Sequence, residues 1–329
     1  MTTFRNWRTI GRVVALSLTA GLAAAQQQAP QQEEAEPPQE AVEESRPPQS
    51  DAADALKIYI SADMEGVVGV VSDAQIGPGG FEYERFRGFM TAEVDACIEA
   101  AREAGATEIL VSDSHGNGQN LLIERLPDDV MVVRSWPRPL GMMEGIDGSF
   151  DGVIFLGYHA STANERGVRA HSFSSASVTA LRLNGMSMSE ASVNAAIAGH
   201  FGVPVIMISG DNVAVAETQV IIGDVEGAVV KWAKGFHSAQ TLTPNAAYEV
   251  IRDRTKAAIE RIDEFEPYVL ETPLRLELSL KHYRPVELLS YLPGVERVNS
   301  HTVRFVGQDI IEVSKFLRVA LGYSVDLQP

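Results

Sequence analysis

From residue 56 onward, short apolar runs alternate with amphipathic stretches. Residues 56–62, with Ile58-Tyr59-Ile60 at their centre, read as a strand buried on both faces. Over 83–104 the large residues fall instead at helical spacing: Phe86, Phe89, Met90, Val94, Cys97, Ile98 and Ala101, with Gly105 to end the helix. Strand patterns return at 108–111, 130–134, 152–157 and 203–209. A hairpin-like excursion at 178–183 turns on Asn184-Gly185, and a helix is expected over 189–200. This alternation predicts an α/β fold with a largely parallel sheet flanked by helices. Beyond Thr243 the pattern predicts a helix (244–262), a strand (274–280), a helix (285–292), a strand or hairpin (295–306) and a last helix (309–321). These make a smaller C-terminal α+β part over 244–329, after a main α/β domain over 56–243.

The beginning of the chain does not belong to this fold. Arg5, Arg8 and Arg12 precede an apolar run over 13–25 that closes on Ala23-Ala24-Ala25. This is the layout of an export signal, too short for a comfortable membrane span. Residues 1–25 are therefore expected to be removed, leaving an exported protein, periplasmic or secreted, with no stable membrane insertion. Residues 26–55 are rich in Gln, Glu, Pro and Ala and hold almost no large apolar residue, so a disordered acidic linker is expected there. The 329-residue chain has a formal net charge of -17, which argues against a nucleic-acid partner. Cys97 is the only cysteine, so neither an intrachain disulfide nor a cysteine-type zinc site is possible.

Candidate chemistry gathers at the strand exits. In a parallel sheet the carboxyl ends of the strands share one edge, where ligands bind. Asp63 and Glu65 leave the first strand two residues apart, and side chains at that spacing face the same side. His115, in Ser112-Asp113-Ser114-His115-Gly116, leaves the second strand, and His159, in Gly157-Tyr158-His159, leaves another. Carboxylates and imidazoles together suit zinc without a thiol. His171 follows in a Ser-rich loop. Glu190 has two open readings. Ser187-x-x-Glu190 ahead of a helix is a capping box, and the same glutamate is a possible metal ligand. His200, His237, His282 and His301 have no ligand-spaced neighbours and read as structural. The glycine-rich stretch 77–80 lacks the Gly-Lys-Ser/Thr ending of a phosphate loop and reads as a turn.

At this point the chain resembles a known family, the D-aminopeptidases of the M55 metallopeptidase group. Ser61-Ala62-Asp63-Met64-Glu65-Gly66 fits its Ser-x-Asp-x-Glu-Gly signature. Asp113-Ser114-His115-Gly116, Gly157-Tyr158-His159, His171, Glu190 leading to Asn194-Ala195, Gly210-Asp211, Val230-Lys231 and Leu242-Thr243-Pro244 continue the likeness to the C-terminal part. The resemblance implies a di-zinc aminopeptidase acting on short peptides with an N-terminal D-residue, such as D-Ala-D-Ala. It implies that Asp63, Glu65, His115, His159 and Glu190 bind two zinc ions per subunit, with Asp63 bridging, and that His171 acts in catalysis. It also implies a homo-oligomer, a ring-shaped decamer. The export segment and linker depart from the family pattern. The rival readings are another metal-dependent hydrolase on the same scaffold, or a non-catalytic zinc- or peptide-binding envelope protein.

Overall fold

A computed structural model describes residues 55–323. The expected export signal, and all but the last residue of the expected linker, lie outside these described residues. The first strand, β1 (Leu56–Ala62), runs through the middle of the main sheet, and its last five residues are buried. Burial on both faces is why it reads as one apolar run and does not alternate. The helix α1 (Tyr83–Glu103) follows, then β2 (Ala106–Asp113), β3 (Met131–Val133) and β4 (Gly152–Tyr158). The chain leaves the sheet for a hairpin, β5 (Val178–Leu183) and β6 (Met186–Ser187). It returns through α2 (Glu190–His200), β7 (Val205–Asp211), α3 (Asn212–Ile222), β8 (Glu226–Gly235) and β9 (Ser238–Thr241). The last elements are α4 (Pro244–Glu260), β10 (Leu274–Leu280), α5 (Tyr283–Leu289), β11 (Val295–Arg297), β12 (Thr302–Gly307) and α6 (Ile310–Gly322).

The main sheet has seven strands in the order β3-β2-β1-β4-β7-β8-β9. All neighbours are parallel except β8 and β9, a terminal hairpin. A five-stranded antiparallel sheet, β11-β12-β10-β5-β6, makes the second layer of strands. The expected boundary at 243 falls between β9 and α4. On either side of it the chain is closely joined: β10 pairs with β5, and α4 packs on α1. The described residues form one compact unit.

Each face of the main sheet has its own core. On one face Ile58 and Ile60 meet the stripe Phe86, Met90, Val94 and Cys97 of α1 and Ala247 and Ile251 of α4. On the other, Tyr59, Val153 and Phe155 meet α2, the inner residues of the antiparallel sheet, and α6. Among the residues of α2, only His200 is exposed. That helix is built mostly of small apolar residues (Ala191, Val193, Ala195, Ala196, Ile197, Ala198), as suits a helix enclosed on every side, and its buried Glu190, Ser192 and Asn194 are hydrogen-bonded. Cys97 is buried in the first core, as expected. No helix among the described residues is long and apolar enough to cross a membrane.

Candidate metal centre

The exits of β1, β2 and β4 are tied together by the main chain. Asp63 N–H donates to Leu156 O (2.8 Å), Gly66 N–H to Gly157 O (2.6 Å) and Ser114 N–H to Ala62 O (2.8 Å). The approach is so close that a Cβ on Gly66 would lie 2.1 Å from Tyr158 O, which explains the glycine after Asp63-x-Glu65. Beneath the exits, Ser61 Oγ lies 2.7 Å from Tyr158 Oη and 2.9 Å from Ser114 Oγ, and Asn194 of α2 donates to Tyr158 Oη at 3.0 Å. Strand ends and helix are therefore joined by a buried polar network as well as by packing.

Above that network all six candidates converge. His115 Nδ1 lies 3.1 Å from Asp63 Oδ1 and 2.8 Å from Glu65 Oε2. His159 Nε2 lies 3.4 Å from Asp63 Oδ2 and 3.2 Å from Glu190 Oε1. His171 Nε2 is 3.6 Å from Glu190 Oε1 and 3.8 Å from Glu65 Oε1, and its ring stacks on that of His159 with centroids 4.0 Å apart. Two sets of three ligand atoms, one from Asp63, Glu65 and His159 and one from His159, His171 and Glu190, lie within 4.8 Å of one another. All six residues are buried.

Each imidazole is oriented by a main-chain carbonyl. His115 Nε2 donates to Ile76 O (2.7 Å), His159 Nδ1 to Ala160 O (3.0 Å) and His171 Nδ1 to Arg169 O (2.8 Å). A carbonyl oxygen only accepts, so the proton on that side of each ring is fixed. The second nitrogen of each ring then points at carboxylates. Asp63 Oδ2, Glu65 Oε2 and His159 Nε2 are buried and find no hydrogen-bond partner among the described residues. Three acids and three lone-pair nitrogens facing a common space need protons or a cation between them. The donor set, nitrogen and oxygen without sulfur, fits zinc and other borderline-to-hard divalent ions.

Without an ion, protons take that place. Burial works against charge on His115, but the Glu65 and Asp63 carboxylates outweigh it and hold its pKa well above the ordinary range. His159 is likewise raised to about 10, burial being outweighed by Glu190, Asp63 and Glu65. Burial, then the neighbouring charge of Glu65, pushes Asp63 up. For Glu65, burial is outweighed by His115, and its pKa is held well below the usual carboxylate range. His171 differs from the other two histidines. Burial and the adjacent His159 depress it, so it stays neutral with its Nε2 lone pair free.

Local geometry decides the capping reading of Glu190. The cap of α2 is Ser189, which accepts from Ser192 N–H, and the Ser192 hydroxyl completes the capping box. Ser187 belongs to β6. Glu190 is therefore not the acid of a capping box, and its carboxylate accepts from Phe173 N–H (2.6 Å) while facing His159. The other histidines stay outside the cluster; His237 and His301 turn to main-chain carbonyls. A cleft of about 730 Å³ opens on the cluster, walled in part by Trp136, Phe173, Arg318 and Tyr323.

One contributor carries no site role in the sequence reading. Lys231, fully buried in β8, donates to the carbonyls of Glu65 (2.5 Å), Val67 (2.9 Å) and Val70 (2.8 Å). It cross-braces the turn that holds Glu65, and burial presses its pKa down to about 8. A lysine amid apolar strand residues (Val229, Val230, Trp232) is the signal that marks it.

The fold and cluster define a protein with a buried candidate metal centre at the carboxyl edge of a parallel sheet. Comparison with known proteins refines that class. The D-aminopeptidase family model matches residues 56–319, and the chain belongs to that family. A D-aminopeptidase of Bacillus subtilis (strain 168) is 34% identical over 265 residues, covering 80% of this chain and 96% of the relative. A solved structure, the Zn-dependent D-aminopeptidase DppA from Bacillus subtilis, a self-compartmentalizing protease, superposes with a TM-score of 0.79. It is 32% identical, and the match covers 83% of this chain and all of that one (100%).

Proposed function

We propose that the protein is a zinc-dependent aminopeptidase that hydrolyses short peptides beginning with a D-residue, such as D-Ala-D-Ala, with two zinc ions per subunit. The observation that carries this is the convergence of buried, unpartnered ligand atoms at the strand exits of a chain in the D-aminopeptidase family. The two oxygens of Asp63 face different histidines, Oδ1 toward His115 and Oδ2 toward His159, which supports a bridging role. Glu65 and His115 would complete one position, and His159 and Glu190 the other. Zinc bound there would supply a Lewis acid and lower the pKa of its bound water toward neutrality.

The protein's own residues handle positioning and protons. His171 is neutral, with its Nδ1 proton committed to Arg169 O. Its Nε2 therefore accepts a proton before it donates one, and general base followed by acid to the leaving amine is the order its tautomer imposes. Self-compartmentalization of the relative supports a homo-oligomeric ring, which we propose for this chain as well, as a decamer. Export to the periplasm or medium, after removal of residues 1–25, belongs to the same proposal.

The test is to purify the mature chain, count its metals and assay D-Ala against L-Ala amides. Two zincs and preferential turnover of the D-substrate are expected. Turnover of the L-substrate alone would overturn the stereochemical assignment, and no turnover of either would overturn the enzyme.

A further inference from the structure

The wall of the cleft contains a cation that holds no anion among the described residues. Arg318 stands on α6, and its guanidinium carbon lies 4.9 Å from the ring centre of Phe173 and 5.9 Å from that of Trp136. A Cβ built on Gly141 would lie 3.4 Å from its Cζ, so main chain closes a further side. Aromatic rings and backbone therefore fix the group in place. Its Nε is buried and meets no acceptor among the described residues. Arg169 and Arg261 also have an Nε without a hydrogen bond, but their guanidinium groups hold Asp73, and Asp224, Glu226 and Glu264. Arg318 holds no carboxylate among the described residues. The acid whose charge reaches it is Glu190, which is already turned to His159.

An immobilised, partly dehydrated guanidinium without a counter-ion is costly unless a ligand supplies one. Its planar fork matches a carboxylate in bidentate fashion. The same cleft is lined by the metal cluster, and its volume of about 730 Å³ is that of a small-ligand site. We propose that Arg318 receives the free C-terminal carboxylate of a peptide of two or three residues whose scissile amide lies at the cluster. Arg318 is then the specificity-determining residue that restricts the substrate to very short, unblocked peptides. This inference rests on the aminopeptidase reading above. The neighbouring rings make it selective: a neutral peptide end leaves the guanidinium unpaired, which is worse than never having buried it.

Two probes test it: a reduced isostere of D-alanyl-D-alanine, with CH2–NH in place of the scissile amide, and the C-terminal amide of that isostere. Each is titrated calorimetrically into the zinc-loaded full chain. The free acid is expected to bind roughly 10- to 100-fold more tightly than the amide. In Arg318→Met that ratio should collapse to within about threefold, and Arg318→Lys, with no fork, should restore only part of it. Equal binding of the probes to the unsubstituted protein, binding of neither, or a preference that survives Arg318→Met would overturn the proposal. If Arg318→Met does not fold, the unsubstituted protein and Arg318→Lys still decide. Steady-state hydrolysis of the dipeptide is measured in parallel. Acid preference without hydrolysis would sink the aminopeptidase reading and keep the carboxylate site, whereas hydrolysis without acid preference would do the reverse.

Discussion

Replacing Lys231 with methionine takes a buried ammonium out of the main sheet and leaves an unbranched chain of similar length. Three carbonyls lose the ammonium at once; that of Val67 keeps the Val70 N–H (3.1 Å), whereas those of Glu65 and Val70 keep no donor among the described residues. A buried acceptor left unsatisfied costs about 1–3 kcal/mol, so the two that stay dry would cost about 2–6 kcal/mol. Two effects reduce that sum. The turn relaxes and admits water, and the ammonium no longer has to be desolvated, a penalty already visible in its lowered pKa. A net loss of about 3 kcal/mol is expected, from a domain stability of about 5–15 kcal/mol, so the variant folds. The assay is urea unfolding of chelator-treated protein, with zinc content measured on a separate reconstituted sample. The loss should be local to the turn that carries Glu65, so zinc retention should fall along with the unfolding midpoint. A midpoint shift worth less than about 1 kcal/mol, with full zinc content, would show that the turn holds its shape unaided and that the brace is incidental.

Asp63→Ala should lose both zincs, because its two oxygens face the two halves of the cluster; two tightly held ions by metal analysis would refute the bridge. His171→Ala should keep its zinc while the turnover number falls by roughly 10²–10³, and loss of metal would reassign His171 as a ligand. Zinc binding should release protons and strengthen with pH. The His159 pKa is raised to about 10, so this ligand is protonated at neutral pH and is freed only as pH climbs toward that value. Calorimetric titrations in buffers of different ionisation enthalpy read the protons directly, and an affinity that is flat from pH 6 to 8 would contradict the coupling.

Much of this was legible before any coordinates. The strands β1, β2, β4, β7 and β10 announce themselves because they are buried on one or both faces, and α1 and α4 because each covers one face of the sheet with a clean stripe. The exits of β1, β2 and β4 placed Asp63, Glu65, His115 and His159 at one edge, and they meet there. The pattern was silent over α3, β8 and β9. The helix α3 is apolar on most sides, and β8 interleaves Glu226, Lys231 and Lys234 with its apolar residues, so neither shows a single period. Glu190 could not be decided from spacing, because the capping box that Ser187 suggested is built two residues later, from Ser189 and Ser192. Arg318 was invisible for another reason: what makes it unusual is the partner it lacks, and that is a property of space and not of sequence.

The carbonyl bonds that orient His115, His159 and His171 have a consequence for how such a centre changes over generations. In a site whose histidines are steered by carboxylate side chains, point mutations in the surrounding layer offer graded variants for selection to explore. Here Ile76, Ala160 and Arg169 contribute only their peptide oxygens, and those oxygens survive almost any codon change. A laboratory search for altered metal preference would find the layer that orients the imidazoles nearly mute. It would have to change the ligands themselves, the braces of the turns that carry them, or whole loops by insertion and deletion.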